Sequence, residues 1–287
     1  MEERQQSVIL RIGSDYYSLT PAEKRLADYI LANQERVVQQ SISELARESG
    51  VAEATISRFS RHMGYKSFPL LKLAVANAMA QARLGDTPLS GQVEQSDDLK
   101  TMSQKLYRAD VEAMLQTMEV LNLSMIAQVA ALFHHARQVL CMGQGGSMLI
   151  AREAAHLFST VSNKFWPVED SHLQAVAAST MESSDVLFFF SYSGSTRDVL
   201  DMEAVARERG AKVVIVTRFP NSPGAQAADY VLQCGANESP MQSGSIAARI
   251  AQMYLLDVLF SEFSRTDMDR ALEYRRRIAE ALKSKHM

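Results

Sequence analysis

An all-α helix-turn-helix bundle followed by an α/β domain on a three-layer parallel sheet is the architecture predicted by this sequence of 287 residues. Three observations lead there. Two capping boxes and a glycine turn crowd between residues 20 and 63. A polar, turn-rich stretch at 85–98 sets that part apart from the rest. From residue 138 on, apolar runs of four to six residues alternate with helical patterns, as parallel strands covered on both faces do.

Composition sets the outer limits. With 47% hydrophobic and 22% charged residues the chain can bury a full core, and its length suits two domains. A net charge of −3 argues against wholesale coating of nucleic acid but permits a local basic patch. The two cysteines, Cys141 and Cys234, fall where strands are expected to end and read as buried thiols of a reducing cytoplasm. No apolar signal core opens the chain and no run of about 18 apolar residues follows, so a cytoplasmic protein without membrane contact is expected. No metal or cofactor is expected either. His134 and His135 are adjacent and point apart on a helix, and Met102, Met114, Met118 and Met125 read as packing residues.

The first domain is expected over 1–84. Thr20 as N-cap, Pro21 and Glu23 form a capping box, and Ala22, Leu26, Tyr29 and Ile30 share one face of a helix within 19–36. Ser41 and Glu44 form the second box and open a short helix, with Leu45 and Ala46 turned inward, that ends at Gly50. A further helix over 53–63 turns Ile56, Phe59 and Met63 inward and leaves Thr55, Ser57, Arg58, Arg61 and His62 outside. Two short helices joined by a glycine turn make a helix-turn-helix, whose second helix enters the major groove. From 53 to 83 five basic residues (Arg58, Arg61, Lys66, Lys72 and Arg83) accompany one acidic residue, Glu53, a balance suited to phosphates. Ser41, Glu53, Thr55, Ser57, Arg58, Arg61 and Lys66 are the expected contacts to double-stranded operator DNA.

These residues carry a family likeness. Glu44-Leu45-Ala46, Gly50-Val51, Ala54-Thr55-Ile56-Ser57-Arg58-Phe59-Ser60-Arg61, Gly64-Tyr65 and Phe68 resemble the N-terminal domain of RpiR-type bacterial transcriptional regulators. Ala52 departs from the family's usual capping serine, a loss worth about 1 kcal/mol.

A linker is expected over 85–98 and the second domain over 99–287. Leu99, Met102, Leu106, Ala109, Ala113, Met114, Thr117 and Leu121 repeat at helical spacing, and a helix from about 124 turns Ile126, Val129, Ala130 and Phe133 inward. Strands follow at 139–142, 165–168, 186–190, 213–217 and 230–232, then a long helix over 243–263 and a charged one over 267–284.

Two strand ends are prepared for a ligand. In Ser191-Tyr192-Ser193-Gly194-Ser195-Thr196, hydroxyls surround a glycine where a helix begins, and the open N–H groups of a first turn hold anions. Gly143-Gln144-Gly145-Gly146-Ser147 opens like a dinucleotide fingerprint. However, Met148 replaces the third glycine and only Glu169 or Asp170 is near the position of the acidic residue, so a phosphorylated sugar is favoured over a nicotinamide.

This pair of loops resembles a sugar isomerase (SIS) domain, which follows the helix-turn-helix in RpiR-type regulators. The resemblance implies that Ser191, Ser193, Ser195 and Thr196 hold the phosphate about Gly194, and that Ser147, reached through Gly143 and Gly145, meets phosphate or sugar. Glu238-Ser239-Pro240, Ser243-Gly244-Ser245 and Arg249-Ile250-Ala251-Gln252 resemble a later segment of these regulators, with Glu238 accepting hydrogen bonds from the sugar. A regulator that is not an enzyme is therefore expected, sensing a phosphorylated sugar or sugar acid. The alternative is a sugar-phosphate isomerase or lyase, with Glu238 as base and His156 or His172 passing a proton, although His156 reads as a packed core residue. One recognition helix per chain calls for a homodimer or homotetramer on a two-fold operator.

Overall fold

In the computed structural model of the chain, residues 8–83, 93–235 and 246–283 are described. The chain divides into two compact units, residues 1–109 and 110–287.

The first unit is all-helical. Its helices are α1 (Val8–Ser14), α2 (Pro21–Ala32), α3 (Gln34–Gln39), α4 (Ile42–Ser49), α5 (Glu53–His62) and α6 (Phe68–Arg83). Both capping boxes form, at Thr20–Glu23 and Ser41–Glu44, and Gly50 ends α4 at φ 66°, in the left-handed region that a side chain would strain. The helix expected over 19–36 is instead two helices. Asn33 breaks it, because its side-chain nitrogen donates to the Tyr29 carbonyl, 3.0 Å away, and competes with the helical ladder. α1 supplies Val8, Ile9 and Ile12 to a core shared with Leu26, Ile30, Leu45, Ile56, Phe59, Met63 and Leu71.

α7 (Leu99–Val120) carries the division between the units. Its apolar periodicity does not translate into burial: only Ala113 and Thr117 are buried, while Leu99, Leu106, Met114 and Met118 are exposed. Met114 and Met118 are thus not core packing residues within the chain.

The second unit continues with α8 (Leu123–His135), β1 (Val139–Gly143), α9 (Gly146–Ser159), β2 (Phe165–Pro167), α10 (Ser171–Ser179), β3 (Val186–Phe190), α11 (Arg197–Glu208), β4 (Lys212–Thr217), α12 (Pro223–Ala227), β5 (Tyr230–Gln233), α13 (Ile246–Thr266) and α14 (Met268–Leu282). The sheet is parallel throughout in the order β2-β1-β3-β4-β5. Alternation along the strands explains the three layers. Phe188 and Phe190 join the core under α8, α9 and α13, whereas Phe189 joins the one under α11 and α12. Phe133 meets Phe158, Phe165 and Phe188 edge-on at centroid distances of 5.1–5.8 Å, contacts worth about 0.5–1.5 kcal/mol each beyond burial. At the opposite edge from the strand C-termini, buried Asp185 clamps β1 to β3 by accepting from Arg137 Nε at 2.8 Å and from the Glu182 N–H at 2.8 Å. Cys141 lies mid-strand in β1, not at its end, and both cysteines are buried and free.

Candidate functional site

In the first unit, α4 and α5 stand as the two helices of the expected motif. Ser43 Oγ donates to Glu53 Oε1 at 2.5 Å and ties one helix to the start of the other, so Glu53 serves that joint. The Ser41 hydroxyl is engaged with Glu44, donating to Oε2 at 2.7 Å and accepting the Glu44 N–H at 3.2 Å. Arg58, Arg61 and Lys66 are exposed and Ser57 is half-buried. Thr55 is a correction: at 6% exposure it lies inside with Ile56 and Phe59 and is no surface contact. Four residues before Phe59, it sits about 40° from it around the helix axis. Ser41, Ser57, Arg61, Lys66 and Lys72 line one groove of about 400 Å³. α5 starts at Ala52 without a side-chain cap.

In the second unit a polar cleft lies at the C-terminal edge of the sheet. Chain order reverses between β1 and β3, and beyond such a switch point open parallel sheets leave a crevice. Here it is a cleft of about 240 Å³ whose lining includes Gln144, Ser147, Ser191, Ser193, Thr196 and Arg249. The β3–α11 loop is locked from below. Gly194 has φ 59°, and a Cβ there would lie 2.0 Å from Ser222 Oγ. The Gly224 N–H donates to the Gly194 carbonyl at 2.8 Å, and the Gly194 N–H donates to Ser191 Oγ at 3.1 Å. α11 starts at Thr196, whose hydroxyl closes no N–H of the first turn. The β1–α9 loop turns at Gly145, φ 54°, which also leaves the start of α9 without a side-chain cap. Gly143 is required for space, since a Cβ would come within 3.0 Å of the Phe190 carbonyl oxygen.

Ser147, Ser191, Ser193 and Thr196 are thus brought to one cleft; Ser195 is exposed beside it and does not line it. Glu238 and the segment 243–245 lie outside the described residues. His156 is exposed, not packed, and like exposed His172 it is absent from the lining. Sequence reasoning gave no role to Gln144, Tyr192, Arg249 or Gln252, all of which line the cleft. Arg249 reaches the start of α9, its guanidinium 3.3 Å from where a Cβ on Gly146 would stand. It is the one charged side chain in the described lining, and no carboxylate or imidazole accompanies it. Hydroxyls, the first-turn N–H groups of α11 and a guanidinium suit an anion, whereas in α9 the Ser147 and Met148 N–H groups already donate to the Gln144 and Gly145 carbonyls at 3.0 and 3.1 Å. Beneath the loop, burial pushes the Glu203 carboxyl of α11 up to about 8, beside Gly224. No group of three or more metal-ligating side chains occurs among the described residues.

Residues 6–82 match the family described as the helix-turn-helix domain, rpiR family, and residues 132–262 match the SIS domain. An HTH-type transcriptional regulator of Caldanaerobacter subterraneus is 32% identical, over 92% of this chain and 93% of its own. The regulator RpiR of Escherichia coli K12 is 26% identical, over 88% of this chain and 84% of its own. Among solved structures, Vibrio vulnificus NanR complexed with ManNAc-6P superposes with a TM-score of 0.63 at 25% identity, covering 98% of this chain and all of that one. The sugar isomerase domain of an RpiR transcription factor from Sphaerobacter thermophilus shares the fold, with a TM-score of 0.58 at 20% identity over 62% of this chain and 98% of that one.

Proposed function

The chain belongs to the RpiR family of HTH-type transcriptional regulators with a SIS domain, and on that premise we propose that its cleft senses a phosphorylated sugar or sugar acid and so modulates operator binding. One observation carries the reading: two helix starts without side-chain caps, α9 and α11, flank the switch point of the sheet and share a cleft with Arg249. Ser147, Ser191, Ser193 and Thr196 hold the phosphate, with the N–H groups beside Ser195, while Gly143, Gly145 and Gly194 shape the loops. Glu238 is assigned to the sugar. The complex of NanR with ManNAc-6P supports a phosphosugar as the class of effector. Turnover finds less support, because the described lining offers no carboxylate, imidazole or amine to move a proton.

On the DNA side, Arg58, Arg61 and Lys66, with Ser57, face the duplex from α5 and the groove beside it; Ser41 and Glu53 set the helix starts there. Two copies read a two-fold operator with half-sites about 34 Å apart. Exposed Met114, Leu115 and Met118 on α7 supply an apolar face for the second copy. The protein acts in the cytoplasm, where its target DNA lies; among the described residues no single helix is long and apolar enough to cross a membrane.

The test has two arms. Selection from a random duplex pool, followed by anisotropy, is expected to yield a preferred sequence, with Arg61→Ala or Arg58→Ala weakening it by about 1–3 kcal/mol. A thermal-shift panel of pentose and hexose phosphates is expected to contain a stabilising member that alters the affinity for that duplex. Failure to select any duplex over competitor at physiological salt sinks the DNA arm, and a silent panel sinks the sensor.

A further inference from the structure

Gln174, on α10, is fully buried, and its amide nitrogen faces only acceptors: the Val168 carbonyl at 2.8 Å, the Gly143 carbonyl at 3.1 Å and the Met148 sulfur at 3.9 Å. Carbonyl oxygens do not donate, so this amide has one permitted orientation, with Oε1 turned to Gln144. That oxygen only accepts, so the atom of Gln144 lying 2.9 Å from it is the side-chain nitrogen. The constraint passes outward in this way from a buried residue to one on the wall of the cleft. An amide that half a turn would invert is held with its nitrogen against Gln174, and its Oε1 is left at the other end.

The remaining polar lining is different in kind. Arg249 only donates, the first-turn N–H groups only donate, and the serine and threonine hydroxyls adapt. An oxygen that only accepts has nothing to offer a phosphate oxyanion, which also only accepts. It matches an O–H or N–H of the ligand.

We propose that Gln144 is a specificity-determining residue: its Oε1 accepts a hydrogen bond from a hydroxyl or amide N–H on the sugar part of the effector, and Gln174 is the positioning residue that fixes which atom is presented. The assignment rests on reading the cleft as a phosphosugar site and narrows the ligand to phosphate esters whose carbon skeleton carries a donor within reach of the β1–α9 loop. Bare phosphate engages the β3–α11 loop and gains nothing from Gln144.

The experiment uses the full chain and two probes, inorganic phosphate and a panel of pentose and hexose phosphates that includes N-acetylmannosamine 6-phosphate, followed by titration calorimetry and thermal shift. Wild type is expected to bind at least one sugar phosphate more tightly than inorganic phosphate. Gln144→Leu is expected to weaken that sugar phosphate by about tenfold to hundredfold, with the response to inorganic phosphate unchanged. Gln174→Met, which keeps the volume and removes the amide, is expected to show the same selective loss and to move the side-chain amide signals of Gln144 to the positions of a free glutamine in a ¹⁵N spectrum. Equal binding of the sugar phosphate by wild type and Gln144→Leu overturns the assignment. So does a loss shared equally by inorganic phosphate. A wild-type chain that binds no member of the panel overturns the sensor reading along with it.

Discussion

Four helices begin at the same edge of the same sheet, and they begin in two ways. α10 and α12, after β2 and β4, are closed by their own side chains: Asp170 Oδ1 accepts the Leu173 N–H at 3.0 Å and Ser222 Oγ accepts the Ala225 N–H at 3.3 Å. α9 and α11, after β1 and β3, start at Gly145 and Thr196 without such a bond. The pair without side-chain caps stands on neighbouring central strands, and the capped pair follows the strands on either side. A cap consumes the N–H groups that an anion would use, and forgoing it costs about 1 kcal/mol of stability. In α9 the backbone takes the place of the cap, since the Ser147 and Met148 N–H groups donate to the Gln144 and Gly145 carbonyls, so the first turn left open to the cleft is that of α11.

The sharpest way to break this contrast is to alter the loop that holds α11 open. Gly194→Ala drives a methyl group into Ser222 at a positive φ, and a loss of about 2–4 kcal/mol is expected in urea or thermal denaturation. An unchanged midpoint would show that the loop is not locked from below. Next in size is an effect of pH. Glu203 keeps its proton to about 8 in the folded chain, against 4.5 for the free side chain. The folded state therefore holds a proton that the unfolded chain releases, so this group's contribution falls as pH rises from 4.5 to about 8 and is flat beyond. Glu203→Gln removes that decline, and its Tm relative to wild type is expected to rise by about 5 °C between pH 6 and 9. A constant difference across that range would contradict the buried-carboxyl account.

Smaller still is the contrast of caps itself. Asp170→Ala is expected to cost about 1 kcal/mol and to leave phosphate binding intact. Thr196→Ala is expected to change stability by less than about 0.5 kcal/mol and to weaken phosphate binding instead. If both substitutions cost the same stability, the hydroxyl of Thr196 is a cap after all and the distinction between the two kinds of start is lost.

The β3–α11 loop was legible in the sequence because its character is local: hydroxyls and Gly194 fall within six consecutive residues, directly after an apolar run. The capping boxes at Thr20 and Ser41 were legible for the same reason. The β1–α9 loop was legible only in outline. Its support comes from Gln174, 30 positions after Gln144, and no period or motif connects the two. Arg249 likewise reaches the cleft from a helix beyond the last strand. Thr55 was placed outside because it is polar, although helical spacing sets it beside Phe59. α7 teaches the converse: apolar spacing identifies a face, and Leu106 and Met114 stay exposed because nothing among the described residues covers that face.

The wall of the cleft is assembled from stretches around Gln144, Ser191 and Arg249 that are remote in sequence. It exists only where β1 and β3 are paired in register and α13 is docked, both of them long-range arrangements. A ligand seated there would stabilise the finished domain by about 2.7 kcal/mol at a hundred times its Kd. If the cleft is unformed in the folding transition state, that gain appears as slower unfolding, not faster folding. A ligand bound in the cleft would then lengthen the protein's lifetime against proteolysis.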